Sequence, residues 1–214
     1  MNALLSERLI DTVVFDLGGV LIDWNPRYIY RDLFNDESKM EHFLKEIVSH
    51  DWNAKLDEGV SFSDNVAELT AKHPDHADMI KVYQTHWHKM LKDAIPGTVE
   101  ILKELKGHYR LLGLSNWSAE TFPVARARFE FLKDFETILV SGEEKLIKPD
   151  PKFYQLLQTR HQVNPVRAVF IDDVEKNIHA ASALGFQTIL FKNPDQLRQD
   201  LIAKGVSLQL KTQT

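Results

Sequence analysis

Short runs of apolar residues that stop at a polar residue or a glycine recur along the chain. An uninterrupted apolar run of this length is typical of a strand that is buried on both faces, as in a parallel sheet. The first run covers residues 12–15 and stops at Asp16. Runs of the same kind cover residues 109–114, 137–140, 168–171 and 187–191. The pattern therefore predicts five buried strands, each followed by a polar loop.

From residue 96 onward, apolar residues three or four positions apart lie between these runs, and this spacing predicts helices. Pro151 suits the first turn of one helix, and Gly185 suits the end of another. Alternating strands and helices predict an α/β fold, with a doubly wound, Rossmann-like parallel sheet covered by helices on both faces. Ligands of such sheets bind at the carboxyl ends of the strands. The polar residues that follow the strands are therefore the candidates for chemistry.

Residues 25–94 carry a different pattern, because their apolar residues have helical spacing and no strand-like run occurs. We predict that this segment is an all-helical insertion, called the insertion below, in a Rossmann-like core formed by residues 1–24 and 95–214. Residues 21–26 would form the outgoing connection, and Pro96-Gly97 the returning one. The apolar stripes that support the prediction are Met40, Phe43, Leu44, Ile47 and Val48; Phe62, Val66 and Leu69; and Met79, Ile80, Tyr83, Trp87, Met90 and Leu91.

Composition narrows the chemistry that the chain can perform. It has 214 residues, no cysteine and a formal net charge of -5. The lack of cysteine excludes disulfides, thiolate metal ligands and a cysteine nucleophile, and the lack of a basic excess argues against a nucleic acid partner. No apolar run is long enough to cross a bilayer, and residues 1–8 lack the apolar core of a signal peptide. We expect a cytoplasmic protein with no membrane partner, present as a monomer or a small homo-oligomer.

Asp16 is the first candidate functional residue, since it ends the most strongly apolar strand. A carboxylate at such a position can act as a nucleophile or as a ligand of magnesium. Gly18 and Gly19 would let the backbone turn tightly and bring its N–H groups close to an anion. For Asp16 alone, a simple turn cap is an equally good interpretation.

Asp172 and Asp173 end another predicted strand. Two adjacent carboxylates at a buried strand end repel each other, so a cation or a shared proton is expected beside them. Asn177 follows in the first turn of the next helix. A helix N-cap would explain one of the two acids but not both.

Ser115, Asn116 and Lys148 complete the set of candidates. Ser115 and Asn116 end the second predicted core strand, where a hydroxyl and a backbone N–H can hold a phosphoryl oxygen, although the pair alone is an ordinary turn. Lys148 precedes Pro149, which fixes the backbone, so the lysine can point inward at a phosphate and the acids. Taken alone, a loop lysine is more often a solvated charge.

The joint order of these residues is more informative than any one of them. A strand ending in Asp is followed by a strand ending in Ser-Asn, then by Lys-Pro, then by a strand ending in Asp-Asp. Together they predict one pocket with a nucleophile, a metal site, an oxyanion clamp and a balancing cation. Phosphoryl transfer requires this set of groups.

In these motifs the chain resembles the haloacid dehalogenase superfamily of hydrolases, and the resemblance spans nearly its whole length. The segments that carry it are Val14-Phe15-Asp16-Leu17-Gly18-Gly19-Val20, Leu114-Ser115-Asn116, Lys148-Pro149-Asp150-Pro151 and Phe170-Ile171-Asp172-Asp173. The insertion looks like the helical cap of that superfamily. The resemblance therefore implies a capped hydrolase that acts on a small phosphorylated metabolite.

The resemblance also implies roles for the motif residues. Asp16 would be the nucleophile and form an aspartyl-phosphate, Ser115 and Asn116 would hold the transferring group, and Lys148 would steady its charge. The ligands of Mg²⁺ would be Asp16, the backbone carbonyl of Gly18 and Asp173, with Asp172 beside them. We prefer Asp173 over Asp172 because its spacing to Asn177 matches the acidic pair of the family.

Gly18 departs from the family pattern. Most phosphatases of the superfamily carry a second aspartate at this position as general acid and base, and losing such a group commonly costs ~10²–10⁴-fold in rate. The substrate would then be a phosphate with a good leaving group, with water or another side chain handling the proton. Alternatively, the protein is a 2-haloacid dehalogenase, in which halide leaves unprotonated and no magnesium is needed, or a non-catalytic protein that binds a phosphorylated metabolite.

The pair Asp172-Asp173 favours the phosphatase, because phosphate carries charge that magnesium neutralises, whereas a second buried acid is awkward for dehalogenation. Members that resemble the Asp-Leu-Gly variant include sugar-phosphate phosphatases. For substrate contacts we predict Gly18, Gly19, Trp24, Arg27 and Trp117, since Trp and Arg side chains can stack on and grip a polar ligand.

Overall fold

The computed structural model describes residues 10–208, and the predicted core residues 1–9 and 209–214 lie outside them. The strands are β1 (Thr12–Phe15), β2 (Ile22–Trp24), β3 (Leu91–Ala94), β4 (Arg110–Ser115), β5 (Thr137–Val140), β6 (Ala168–Asp172) and β7 (Gln187–Leu190). The helices are α1 (Arg27–Tyr30), α2 (Glu37–Glu46), α3 (His50–Asp57), α4 (Phe62–Lys72), α5 (Ala77–Thr85), α6 (Pro96–Leu105), α7 (Phe122–Arg128), α8 (Ser141–Glu144), α9 (Pro151–His161), α10 (Glu175–Ala183) and α11 (Pro194–Ala203). Short 3₁₀ segments cover Pro74–His76, Trp87–Met90, Glu130–Asp134 and Pro165–Arg167.

Five of the strands form one parallel sheet in the order β5-β4-β1-β6-β7. Strand β1 is central, with Phe15 opposite Gly113 of β4 on one side and opposite Ile171 of β6 on the other. The predicted parallel sheet is therefore confirmed. Because neighbouring strands run in the same direction, the residues that follow β1, β4 and β6 lie at the same edge of the sheet.

Side chains that alternate along β1 enter two separate apolar clusters. Val13 and Phe15 pack in a cluster that includes residues of α6 and α11. Val14 packs in another, which includes residues of α9 and α10. Since successive side chains of a strand point to opposite faces, the sheet is covered on both sides. This confirms the doubly wound fold class.

The segment between β2 and β3 contains only helices, 3₁₀ segments and loops within the described chain. Three of its helices begin at residues whose side chains accept hydrogen bonds from the first turn: Asp36 for α2, Ser49 for α3 and Ser61 for α4. Each such N-cap contributes ~1 kcal/mol to the stability of its helix. The cap at Ser49 fixes the start of α3, which ends at Asp57.

The end of the insertion differs from the prediction, because β3 is a strand. It pairs with β2 in a small antiparallel sheet, with Ile22 opposite Ala94 and Trp24 opposite Leu91. The segment Leu91–Ala94 has two charged residues and no apolar run, so only the neighbouring β2 makes it a strand. The two connections of the insertion therefore lie side by side, while its boundaries at residues 25 and 94 stay a prediction.

None of the helices between residues 10 and 208 has both the length and the apolar character needed to cross a bilayer.

Candidate active site

Three strand ends bring the predicted polar residues together. Asp16 follows β1, Ser115 is the last residue of β4, and Asp172 is the last residue of β6. The hydroxyl of Ser115 donates to Asp16 Oδ1 over 3.0 Å. The Lys148 ammonium lies 3.0 Å from Asp16 Oδ1 and 2.7 Å from Asp172 Oδ2. One lysine thus bridges two carboxylates that come from neighbouring strands.

Lys148 is 2% exposed, and the side-chain amide of Asn116 is hydrogen-bonded to its backbone. The Lys148 N–H donates to Asn116 Oδ1 over 2.8 Å, and Asn116 Nδ2 donates to the Lys148 carbonyl over 3.0 Å. Burial by itself lowers the pKa of Lys148, but Asp16 and Asp172 raise it above its ordinary value. The side chain is therefore a permanent cation at neutral pH. The amide of Asn116 is engaged in positioning this lysine, which differs from its predicted grip on the transferring group.

Asp172 is fully buried and has several donors. Besides Lys148, the Val174 N–H donates to it over 2.8 Å, and Asn177 Nδ2 donates to both of its oxygens, over 3.0 and 3.1 Å. Asn177 is thus bonded to Asp172, and the preference for Asp173 as a metal ligand, which rested on its spacing to Asn177, stays a prediction. The chain turns between β6 and α10, and the first turn of the helix folds back over Asp172.

The backbone conformation and the neighbouring atoms require a glycine at position 19 but not at position 18. Gly19 has φ +75, and a Cβ built on it would lie 2.3 Å from Asp173 Oδ2. A side chain there would be strained and would displace the acid. A Cβ on Gly18 would meet no atom within 4 Å, and its φ is outside the left-handed region. The expectation that both glycines serve the turn therefore holds only for Gly19.

Asp16, Asp172 and Asp173, called the acid cluster below, can each supply one oxygen such that these oxygens lie within 4.8 Å of one another. Burial raises the pKa of Asp16 to about 7, Lys148 opposes this rise, and the other two acids add to it. Three carboxylates beside one ammonium leave a surplus of negative charge. An all-oxygen donor set with such a surplus fits a hard divalent cation such as Mg²⁺.

The two oxygens of Asp16 have different surroundings. Oδ1 accepts from the Leu17 N–H over 2.7 Å, from Ser115 and from Lys148. Within residues 10–208, no donor is hydrogen-bonded to Oδ2. The carboxylate is thus anchored through one oxygen, while the other is left for a ligand.

The predicted substrate contacts outside the glycines do not join the acid cluster. Arg27 forms a bidentate pair with Glu41 of α2. Trp117 is buried, and its ring N–H donates to Thr121 while the ring packs edge-on against Trp87. Trp24 is partly buried against the larger apolar cluster. Local partners satisfy Arg27 and Trp117, so their role as substrate contacts stays a prediction without a supporting contact.

Sequence reasoning missed Asp57, a half-buried residue at the end of α3. Burial raises its pKa to about 8, and the charge of Asp16 adds to this rise while Lys148 opposes it. These interactions place its carboxyl in the electrostatic field of the acid cluster. The sequence Leu56-Asp57-Glu58-Gly59 reads as an ordinary helix end, and no spacing rule marks it.

A family model described as haloacid dehalogenase-like hydrolase matches residues 13–191. The chain belongs to this family. The match includes the acid cluster, Lys148 and all of the insertion. This confirms the family resemblance carried by the sequence motifs.

One curated relative of this haloacid dehalogenase-like hydrolase is the phosphorylated carbohydrates phosphatase of Thermotoga maritima. It is 26% identical over 188 residues, which are 84% of each chain. The chain also matches parts of much longer curated proteins, of which it covers only 7% to 18%.

Solved structures of the family share the fold. A family enzyme from Bacteroides thetaiotaomicron in a magnesium complex has a TM-score of 0.69 at 21% identity, over 86% of this chain and 94% of that chain. The L-2-haloacid dehalogenase of Xanthobacter autotrophicus, with chloropropionic acid covalently bound, has a TM-score of 0.60 at 18% identity, over 93% and 85%. Both are similar in fold, so the choice between phosphate and haloacid chemistry depends on the site itself.

Proposed function

We propose that this family member is a magnesium-dependent phosphohydrolase that cleaves a small phosphomonoester through an aspartyl-phosphate on Asp16. The observation that carries the proposal is the one-sided anchoring of Asp16. Its Oδ1 accepts from Leu17, Ser115 and Lys148. Oδ2 is therefore the oxygen available to form a bond with phosphorus.

The first step is attack of Asp16 Oδ2 on phosphorus, with cleavage of the bond to the leaving alcohol. Ser115 and Lys148 lie at the same carboxylate and stabilise negative charge on the transferring group. Asn116 contributes by fixing the backbone of Lys148. Water then cleaves the aspartyl-phosphate and releases phosphate. Magnesium held by the acid cluster and the Gly18 carbonyl would neutralise charge on the phosphate oxygens.

The substrate class follows from the relatives and from the insertion. The Thermotoga maritima relative is named for phosphorylated carbohydrates, so we propose a small phosphorylated metabolite such as a sugar phosphate. We further propose that residues 25–94 form a cap over the strand ends of a core made of residues 1–24 and 95–214. A cap that closes over substrate excludes water during the first step.

A screen of phosphorylated metabolites with wild type and Asp16→Asn tests the proposal. We expect phosphate release by the wild type in the presence of Mg²⁺, loss of this release with a chelator, and a rate at least about 10⁴-fold lower in the variant. Rapid-quench labelling with ³²P-substrate should give an acid-stable phosphoenzyme that Asp16→Asn lacks.

The matched control is Asp75→Asn, which changes an exposed aspartate of the insertion. It should keep wild-type activity. Full phosphatase activity in chelator, or in Asp16→Asn, would contradict the proposal.

Dehalogenation is the alternative within the same fold. The acid cluster argues against it, because a 2-haloacid is itself an anion and would meet surplus negative charge without a metal to balance it. We expect no chloride release from 2-chloropropionate in chelator. Metal-independent chloride release that is lost in Asp16→Asn would reverse the assignment.

A further inference from the structure

We propose that Asp57 of the insertion is the general acid and base that the core lacks at Gly18. This inference rests on the proposed phosphohydrolase function. A group with this role must lie beside Asp16, must hold a proton before the first step, and must be free of a permanent cationic partner. Asp57 meets each requirement, as the contacts of α3 and its neighbours indicate.

The turn that follows Asp57 rests directly on the core. Lys145, just after α8, donates from its ammonium to the Gly59 carbonyl over 3.1 Å. The Phe62 N–H donates to Glu120 Oε1 over 2.8 Å. Glu120 follows β4 and Lys145 follows β5, so both contacts lie beyond the carboxyl ends of strands. This places the end of α3 at the edge of the sheet that carries Asp16.

A short chain of neutral hydrogen bonds holds the carboxyl in place. Asn53, one turn earlier on α3, donates from Nδ2 to Asp57 Oδ2 over 3.0 Å. The Tyr83 hydroxyl of α5 donates to Asn53 Oδ1 over 2.6 Å, and the Tyr83 side chain is buried. Asp57 Oδ1 has no hydrogen-bond partner in the described part of the chain, and no lysine or arginine forms an ion pair with Asp57 there. Anchoring one oxygen through an amide leaves the other for the substrate.

The charges around Asp57 keep it protonated at neutral pH. Burial and the nearby carboxylates of Asp16 and Glu58 raise its pKa to about 8, while Lys148 opposes the rise. Tyr83 also faces Asp57, and its own pKa lies well above the ordinary value because it is buried and close to Asp57. A general acid works best with a pKa near the working pH.

The proton balance closes over the two steps. As the bond from Asp16 Oδ2 to phosphorus forms and the bond to the alcohol oxygen breaks, Asp57 gives its proton to that oxygen. The resulting Asp57 carboxylate then accepts a proton from the water that attacks the aspartyl-phosphate. Phosphate leaves, the Asp16 carboxylate is restored, and Asp57 is again protonated.

The test compares two substrates whose leaving groups differ in their need for a proton. One is the alkyl phosphate that the wild type hydrolyses fastest, and the other is p-nitrophenyl phosphate, whose leaving group departs as a stable anion. For Asp57→Asn we expect kcat/KM on the alkyl phosphate to fall ~10²–10⁴-fold. On p-nitrophenyl phosphate we expect kcat/KM of this variant to fall less than about tenfold. We also expect a burst of p-nitrophenol, because water attack on the phosphoenzyme becomes slow.

The pH profile gives a second readout that a structural role would not move. The wild-type kcat/KM on the alkyl phosphate should fall above about pH 8, as Asp57 loses its proton, and Asp57→Asn should lack this limb. Glu58→Gln, the adjacent exposed acid, is the matched control and should keep the limb. Thermal unfolding of each variant checks that it is folded.

Equal losses on the two substrates, or an unchanged rate on the alkyl phosphate, would overturn the assignment of Asp57. Failure of the proposed function gives a different result, in which Asp16→Asn keeps activity on both substrates. The two failures are therefore distinguishable in the same set of assays.

Discussion

Asp172 and Asp57 are both carboxyl groups withdrawn from water near the same nucleophile, but the chain treats their charge differently. Asp172 is bonded to the Lys148 ammonium, the Val174 N–H and the Asn177 amide. Among residues 10–208, the Asp57 carboxyl accepts a single hydrogen bond, from the neutral side chain of Asn53. In the proposed mechanism, the core thus holds an anion at the strand ends, whereas the insertion supplies a proton to them.

The largest expected effect comes from removing the cation of the core. Lys148→Met would leave Asp16 and Asp172 without their shared partner, and breaking such a buried pair costs ~3–5 kcal/mol. We expect the free energy of unfolding in urea, measured with chelator, to fall by about this amount, with activity lost. Lys145→Met, which removes a lysine whose ammonium donates an exposed hydrogen bond to Gly59, is the control and should cost less than about 1 kcal/mol. If the two variants were equally stable, the stability of the core would not depend on the charge of Lys148 beside Asp16 and Asp172.

The second-largest expected effect comes from placing an acid in the core at position 18. Because a Cβ on Gly18 meets nothing within 4 Å, Gly18→Asp should be accommodated. In the Asp57→Asn background we expect it to raise kcat/KM on the alkyl phosphate by about tenfold or more. Gly19→Asp is the matched control, since its side chain would collide with Asp173 and require a left-handed φ. Rescue by both substitutions, or by neither, would count against the division of roles between core and insertion.

The third effect is on stability and depends on pH. Folding raises the pKa of Asp57 from its ordinary 3.8 to about 8, so the folded protein binds more protons than the unfolded chain across this window. The contribution of Asp57 to stability is therefore full below about pH 4 and is lost as the pH rises through 8. Asp57→Asn should raise the free energy of unfolding by about 1–3 kcal/mol at pH 8.5, after discounting for partial exposure, and by progressively less toward pH 5.

Urea unfolding of wild type and Asp57→Asn at several pH values, with chelator present, measures this difference. The control Asp75→Asn should give a pH-independent offset near zero, because that residue is exposed. If Asp57→Asn were less stable than wild type at pH 8.5, the negative charge of Asp57 would have to be stabilised by neighbouring groups in the folded protein.

The smallest expected effect is at the contact between the insertion and the core. Glu120→Gln keeps an acceptor for the Phe62 N–H but removes the carboxylate charge. This loss should weaken the hydrogen bond by about 0.5–1 kcal/mol. We expect a twofold to fivefold rise in KM on the alkyl phosphate, since the insertion would be held less firmly over the site. Glu130→Gln, on an exposed glutamate that pairs with Lys133 on the surface, should leave KM unchanged. A similar change in both variants would indicate a general charge effect.

The core half of the site could be predicted because its signals are local. Apolar runs that stop at Asp16, Ser115 and Asp172 are visible in the sequence, and the parallel sheet brings strand ends together by rule. The inward direction of Lys148 was predicted from Pro149, which fixes the backbone, and the ammonium lies within 3.0 Å of Asp16 and 2.7 Å of Asp172. The contact of Asn177 with Asp172 could not be predicted, because it depends on the turn between β6 and α10, which spacing does not reveal, and the preference for Asp173 as a metal ligand stays a prediction.

The insertion half could not be predicted, because its features depend on contacts between distant residues. Asp57 acquires its raised pKa only when α3 packs on the core, about forty positions along the chain from Asp16. Strand β3 exists only through β2, nearly seventy positions earlier. Arg27 has a partner in α2 that no sequence rule selected. In each case the side chain or strand is ordinary, and its neighbour is not nearby in sequence.

The place of β1 in the sheet has a further consequence for how ligands are accommodated. Its backbone is paired on both sides, by β4 and by β6, so the residue that follows it cannot slide or tilt without breaking two rows of hydrogen bonds. Asp16 therefore keeps one position for every ligand. In our proposal that the insertion is a cap, differences in ligand size would be absorbed by the insertion, which joins the core through two short adjacent strands.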